Sequence, residues 1–167
     1  MTKRIAALSG VLCSALLLTA CSSSDSGGTV HRTAGRGPTW DEKAGAPEAA
    51  AFMKIDLPSG ATGVKGAVQV NPQEDMYLLS FVTGKATAER MAEDLHFDAP
   101  LSTTAKSGLE GALFEHLGLT DPEKLEGVRW SGVCPPCVEH DRGQVQWIEM
   151  YVHDEGKGRS RVYLQAF

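Results

Sequence analysis

The chain has 167 residues, with 16 basic and 21 acidic side chains and a formal net charge of −5. That length suits one domain, and the acidic balance without a basic cluster argues against a nucleic-acid partner, because phosphate neutralisation supplies most of that affinity. No polybasic patch is present to hold anionic lipid either, so any membrane contact has to come by another route.

The first segment supplies one. Met1-Thr2-Lys3-Arg4 is a positive start, and Ile5 to Leu18 is an apolar run broken by Ser9, Gly10 and Ser14. It ends in Leu18-Thr19-Ala20-Cys21, with small residues immediately before the cysteine. These are the charged, apolar and small-residue zones of an export signal. A membrane-spanning helix needs roughly 20 mostly apolar residues, and this run is shorter. The Leu-Thr-Ala-Cys ending resembles the lipobox of bacterial lipoproteins. The resemblance implies that residues 1–20 are a signal peptide, that Cys21 becomes the lipidated first residue, and that the chain is held on the extracytoplasmic side of the membrane. It covers residues 1–21 and concerns address, not activity. The Ala- and Gly-rich style resembles small actinobacterial lipoproteins, a likeness of composition that implies no activity. Removing Lys3 and Arg4 with the leader shifts the net charge to −7.

Residues 21–46 are then expected to carry the lipid and form a disordered tether. Ser22-Ser23-Ser24-Asp25-Ser26-Gly27-Gly28 and Gly35-Arg36-Gly37-Pro38 offer too little apolar surface to offset chain entropy. Trp40 is the one large apolar residue there, either idle or the first to dock on the domain.

Residues 47–167 read as a single globular domain. Pro47 to Met53 suits a short helix with proline in its first turn. Val64, Gly66, Val68 and Val70 alternate with Lys65, Ala67 and Gln69, and Met76 to Thr83 is a second strand after the turn at 71–75, which predicts a hairpin. Ala88, Met91, Ala92 and Leu95 have helical spacing. Leu109, Ala112, Leu113 and Leu117 predict another helix, with Gly118 as its C-terminal cap. Asp121-Pro122-Glu123 opens a single turn, and Val128 to Val133 is a third strand. Gln146, Ile148, Met150 and Val152 alternate with Val145, Trp147, Glu149, Tyr151 and His153. After a turn at 154–158, Val162, Leu164 and Ala166 alternate with Arg161, Tyr163, Gln165 and Phe167. The expected fold is α+β, an antiparallel sheet of about five strands with two main helices packed on one face.

Of four cysteines, Cys13 leaves with the leader and Cys21 takes lipid, which leaves Cys134 and Cys137 in Cys-Pro-Pro-Cys. In an exported chain a disulfide between them is the first reading. Thioredoxin-like redox chemistry fits poorly, because only 30 residues follow Cys137 and none is proline. The alternative is a metal site for zinc or copper, in which Cys134, Cys137 and His140 form C-x₂-C-x₂-H. A fourth ligand would come from His153, His116 or Asp141 through folding. Val138 stands where covalent haem attachment needs histidine.

No G-x-S-x-G, H-E-x-x-H, phosphate-binding loop or G-x-G-x-x-G occurs in the sequence. Glu139-His140-Asp141 and His153-Asp154-Glu155 gather acid–base groups only as sequence neighbours, and Glu89, Glu93 and Asp94 suit the solvated side of a helix. Period-two geometry turns Trp147, Tyr151, Arg161, Tyr163 and Phe167 away from the helices. Left open, that face suits a binding surface; otherwise the tether, Trp40 or the Pro47 segment covers it, or the sheet is buried on both sides. The sequence therefore predicts a non-catalytic envelope lipoprotein without a cofactor, binding a protein, peptide or wall component through its outer sheet face. A metal-binding or thiol-redox lipoprotein is the alternative.

Overall fold

The computed structural model describes residues 37–97, 99–103, 112–133 and 144–167. The leader, Cys21, Cys134, Cys137 and His140 lie outside the described residues. In chain order the elements are β1 (Thr39–Trp40), α1 (Ala46–Met53), β2 (Thr62–Val70), β3 (Met76–Gly84) and α2 (Lys85–Asp94), then 3-10 turns at Leu113–Leu117 and Pro122–Lys124. They end with β4 (Arg129–Val133), β5 (Ile148–Gly156) and β6 (Arg159–Ala166).

The strands form one sheet in the order β1-β2-β3-β6-β5-β4, antiparallel at every pairing. The architecture is α+β with six strands rather than five. The sixth, β1, comes from residues that composition assigns to the tether: Thr39 pairs with Val70 and Trp40 with Gln69. Two hairpins set the register. In the β2–β3 turn, Asn71 N–H donates to Asp75 Oδ1 (3.2 Å) and Asn71 Nδ2 donates to the Gln69 carbonyl (3.2 Å). In the β5–β6 turn, Lys157 (φ 54°) and Gly158 (φ 72°) both lie in the left-handed region. Such a two-residue turn matches the right-handed twist of the strands it joins.

Both helices cover one face of the sheet. Pro47 sits in the first turn of α1, and Glu48 Oε2 accepts the Gly45 N–H (2.7 Å). Lys54 ends the helix in the left-handed region, where Ile55 N–H bonds the Ala50 carbonyl (2.9 Å). Ala49, Ala50 and Met53 of α1, and Ala88 of α2 with Leu95 just past its end, pack on Leu79, Phe81, Ile148, Met150, Val152, Val162, Leu164 and Ala166. Each large side chain buried here contributes about 1.5–3 kcal/mol.

The second helix expected after the β2–β3 hairpin is not formed where the structure describes it. Leu113–Leu117 is a 3-10 turn, and Ala112 has φ −88° and ψ 50°, outside the helical region. No helix can propagate back through such a residue. Leu109 lies outside the described residues. Gly118 does cap the turn, at φ 66°, with its N–H on the Glu115 carbonyl (2.9 Å). The main helices are therefore α1 and α2. Among the described residues no helix is long and apolar enough to cross a membrane.

Candidate functional site

Of the two alternatives for the outer aromatic face, open or covered, the covered one holds at its tyrosines. Tyr151 and Tyr163 are 2% and 3% exposed, packed with Leu78 and Phe114 beneath Leu113, Leu117, Leu119, Leu125 and Val128. The Phe114 ring stands edge-on to Tyr163 (centroids 5.1 Å apart). Trp40 stacks on His116 (3.8 Å, interplanar angle 1°), and Lys65 Nζ donates to the Leu117 carbonyl (2.7 Å). Burial on both faces overturns the binding-surface reading for Tyr151 and Tyr163. The physical reason is that residues 112–128, too short of helical spacing to pair with a helix, offer four leucines and a phenylalanine to the nearest apolar surface. The remaining candidates are separated along the sheet. Arg161 Nε is bonded to Glu155 Oε1 (2.7 Å) at the β5–β6 turn, whereas Phe167 follows the other end of β6, roughly 20 Å along the strand direction.

Trp147 and Tyr151 meet instead on a residue not singled out by its type. Glu149, fully buried on β5, receives the Trp147 indole N–H on Oε1 (2.7 Å) and the Tyr151 hydroxyl on Oε2 (2.8 Å). Gln165, its cross-strand partner, donates to Oε2 (2.7 Å). Opposite Glu149 on β4 stands Gly132. A Cβ there would lie 3.1 Å from both the Trp130 and Trp147 rings, so glycine is what lets the two indoles close over the carboxylate. The signal in the sequence was a carboxylate flanked at two-residue spacing by Trp and Tyr on one strand face. This constellation holds β4, β5 and β6 together, and its donors are spent on Glu149.

Asp121, at the start of the second 3-10 turn, is 5% exposed and its Oδ2 has no partner among the described residues. Burial raises its carboxyl above the ordinary range, opposed by the Phe114 N–H bond and by Lys124. A raised acid favours the folded state below the unfolded-state value and loses that contribution as pH rises through the folded-state value. Asp121→Asn removes the buried charge, though an NH₂ group then takes the unpaired position, and is therefore expected to stabilise the protein at pH 7 by about 1 kcal/mol. The gain should vanish in acid. Urea melts of both proteins at neutral and acid pH check this; equal stability at pH 7 would contradict it.

Concave surface among the described residues includes two regions. One, of about 410 Å³, lies between α2 and β4 and is lined by Glu89, Glu93, His96, Phe97, Leu101 and Arg129 among others. Two of its charged groups are already paired, since Arg129 Nη1 and Nη2 both bond Glu89, the first at 3.1 Å. Glu89, expected as a solvated helix residue, is thus part of a strand–helix tie. The Arg129 bond is the main reason its carboxyl is held below the usual range. Stability from a lowered acid is present above the unfolded-state value and lost as pH falls through the folded-state value. Glu89→Gln should flatten this acid limb and, with the pair partly exposed, remove about 0.5–1 kcal/mol at neutral pH. A double-mutant cycle with Arg129→Met measures the coupling, and a cycle energy of zero would refute the tie.

The other concavity sits at the end of the sheet where the β2–β3 turn meets Phe167. A hollow of about 460 Å³ is lined by Asn71, Pro72, Gln73, Glu74, Met76 and Phe167. A second, of about 170 Å³, is lined by Phe52, Glu74, Asp75, Tyr77, Gln144, Gln146 and Phe167. They share Glu74 and Phe167. Behind them the Phe52 and Tyr77 rings stack (3.7 Å, 5°). Phe167 is pinned through its backbone: its carbonyl accepts from Gln146 (2.6 Å) and Trp147 (3.1 Å), and its N–H donates to Trp147 (3.1 Å). No local pattern marks this site, because its polar groups come from 71–75 and 144–146, far apart in the chain.

Among the described residues no group of three or more His, Cys, Asp or Glu is placed to hold a metal ion. The class this fold and these sites define is an antiparallel α+β sheet domain, covered on both faces and concave at one end. No family model matches the chain, nor does any curated protein or solved structure.

Proposed function

We propose that this chain is a lipid-anchored, extracytoplasmic binding domain that acts without catalysing a reaction and engages a component of the cell envelope at the concave end of its sheet. The anchor rests on the Lys3-Arg4 start, the apolar run and Leu18-Thr19-Ala20-Cys21. The observation that carries the binding reading is the pair of hollows sharing Glu74 and Phe167, lined by amides, carboxylates and aromatic rings. The larger lies within the ~300–1,000 Å³ range of small-molecule sites. Its lining is set on a strand turn and on a strand-paired terminus, which limits the ordering cost of binding.

Two measurements test this. Cys21→Ala is expected to release the protein from the membrane fraction or leave the leader uncut; a processed leader with unchanged membrane attachment contradicts the anchor. Backbone amide NMR of the full chain in detergent micelles, titrated with a solubilised digest of the envelope, should shift residues 71–77 and 144–147. A digest that moves none of them contradicts the binding site.

A further inference from the structure

Resting on that reading of the site, we infer that the hollow at the end of the sheet takes a neutral linear oligosaccharide. The lining chemistry selects for hydroxyl groups. Gln144 and Gln146 present planar amides that both donate and accept, and Glu74, shared by both hollows, presents a carboxylate acceptor. A sugar hydroxyl is donor and acceptor at once, so it can donate to a carboxylate while accepting from an amide NH₂, whereas an ammonium only donates and leaves the amide NH₂ groups unmet. The Gln144 and Gln146 side chains are exposed, free to meet a ligand without giving up a buried structural role.

The lining also rejects alternatives. Among the described residues neither hollow is lined by a lysine or arginine, and both share the Glu74 carboxylate. An anionic ligand would be placed against the like charge of Glu74. An apolar ligand would strip water from amides and carboxylates without replacing their hydrogen bonds.

Geometry favours a chain of sugar units over a single one. Phe167 and Glu74 line both hollows and so stand where the two adjoin. The apolar C–H face of a pyranose suits the face of an aromatic ring, whose π-cloud is electron-rich. One unit on Phe167 then leaves its neighbours over Gln144 and Gln146 on one side and Asn71 and Gln73 on the other. Phe167 is preorganised by its three backbone bonds, and the Asn71 side by the bonds of Asn71 to Asp75 and Gln69.

The test is amide NMR of the full chain in detergent micelles, titrated separately with cellotetraose, maltotetraose, chitotetraose and tetralysine at millimolar concentration. At least one of the neutral saccharides is expected to shift residues 71–77, 144–147 and 167. Gln146→Ala and Phe167→Ala should each weaken that saccharide about tenfold, equivalent to ~1.4 kcal/mol. Glu93→Gln, in the other concavity, should leave it unchanged. Shifts produced by tetralysine alone would overturn the saccharide and keep the binding site. Silence from every saccharide, while the envelope digest still shifts these residues, would likewise overturn the saccharide alone. Silence from all of them and from the digest would overturn the site as well.

Discussion

Gly66→Ala is expected to cost about 3 kcal/mol of folding stability, the upper end of what overpacking in a tight interior does. A Cβ at this position would lie 2.4 Å from Ala46 Cα and 2.6 Å from Ala46 N. Both are backbone atoms, so no side chain can rotate away. Relief would require the start of α1 to lift from β2, and Ala49 and Met53, both fully buried, follow on the same helix. The space is the whole argument, since Gly66 is not among the glycines with positive φ. Gly37, with nothing within 4 Å of its Cβ position, is the control, expected within about 0.5 kcal/mol of the parent. Urea denaturation followed by far-UV circular dichroism measures both. A Gly66→Ala midpoint equal to that of Gly37→Ala would show that α1 does not rest on β2 as described.

Glu149→Ala is expected to be at least as damaging, on the order of 3–5 kcal/mol. It strands the Trp147 indole, the Tyr151 hydroxyl and the Gln165 amide, all donors held on this carboxylate, and each orphaned buried donor costs about 1–3 kcal/mol. Glu149→Gln keeps the volume and one acceptor oxygen but turns an NH₂ group towards donors, so a smaller loss of about 1–3 kcal/mol is expected. The same denaturation series decides, with the Trp147 environment read by tryptophan fluorescence. A loss below 1 kcal/mol for Glu149→Ala would mean that water replaces the carboxylate, and that the β4–β6 end of the sheet is wetter than its burial indicates.

Strand boundaries were largely legible, because each strand has a face that must be buried and period-two alternation records it. The alternation of Ile148, Met150 and Val152 and of Val162, Leu164 and Ala166 is the inner face as observed. Helical spacing at Ala88, Met91, Ala92 and Leu95 likewise placed α2. The same spacing misled at Leu113 and Leu117, since two leucines four apart suit a single capped 3-10 turn lying flat on a sheet as well as they suit a helix. Thr39 and Trp40 were hidden by composition: two residues bonded to a sheet edge leave no periodicity to detect.

The candidate site was the least legible part. Alternation correctly turned Tyr151 and Tyr163 away from the helices, yet it carries no information on whether a second layer arrives. That layer, residues 112–128, is apolar at irregular intervals, and only the tertiary fold shows where it lies. The concave end is of the same kind: Gln144 and Gln146 reach Glu74 because β6 lies between β3 and β5 and ends at Phe167 beside both.

By itself the sequence determined what depends on neighbours along the chain: the alternating strands, the capped helical turns, the turn at 71–75, a turn placed at 154–158 of which 157–158 is the turn and 154–156 belongs to β5, and the lipobox-like ending at Cys21. Strand order, the six-strand count, the burial of the outer face, the Glu149 cluster and the shared hollow at Phe167 were decided only in three dimensions. The reason is range. Local backbone preference and amphipathic period act over a few residues, whereas pairing such as Tyr77 with Ala166 joins segments far apart in the chain, and the side chains that meet there share no pattern before they meet.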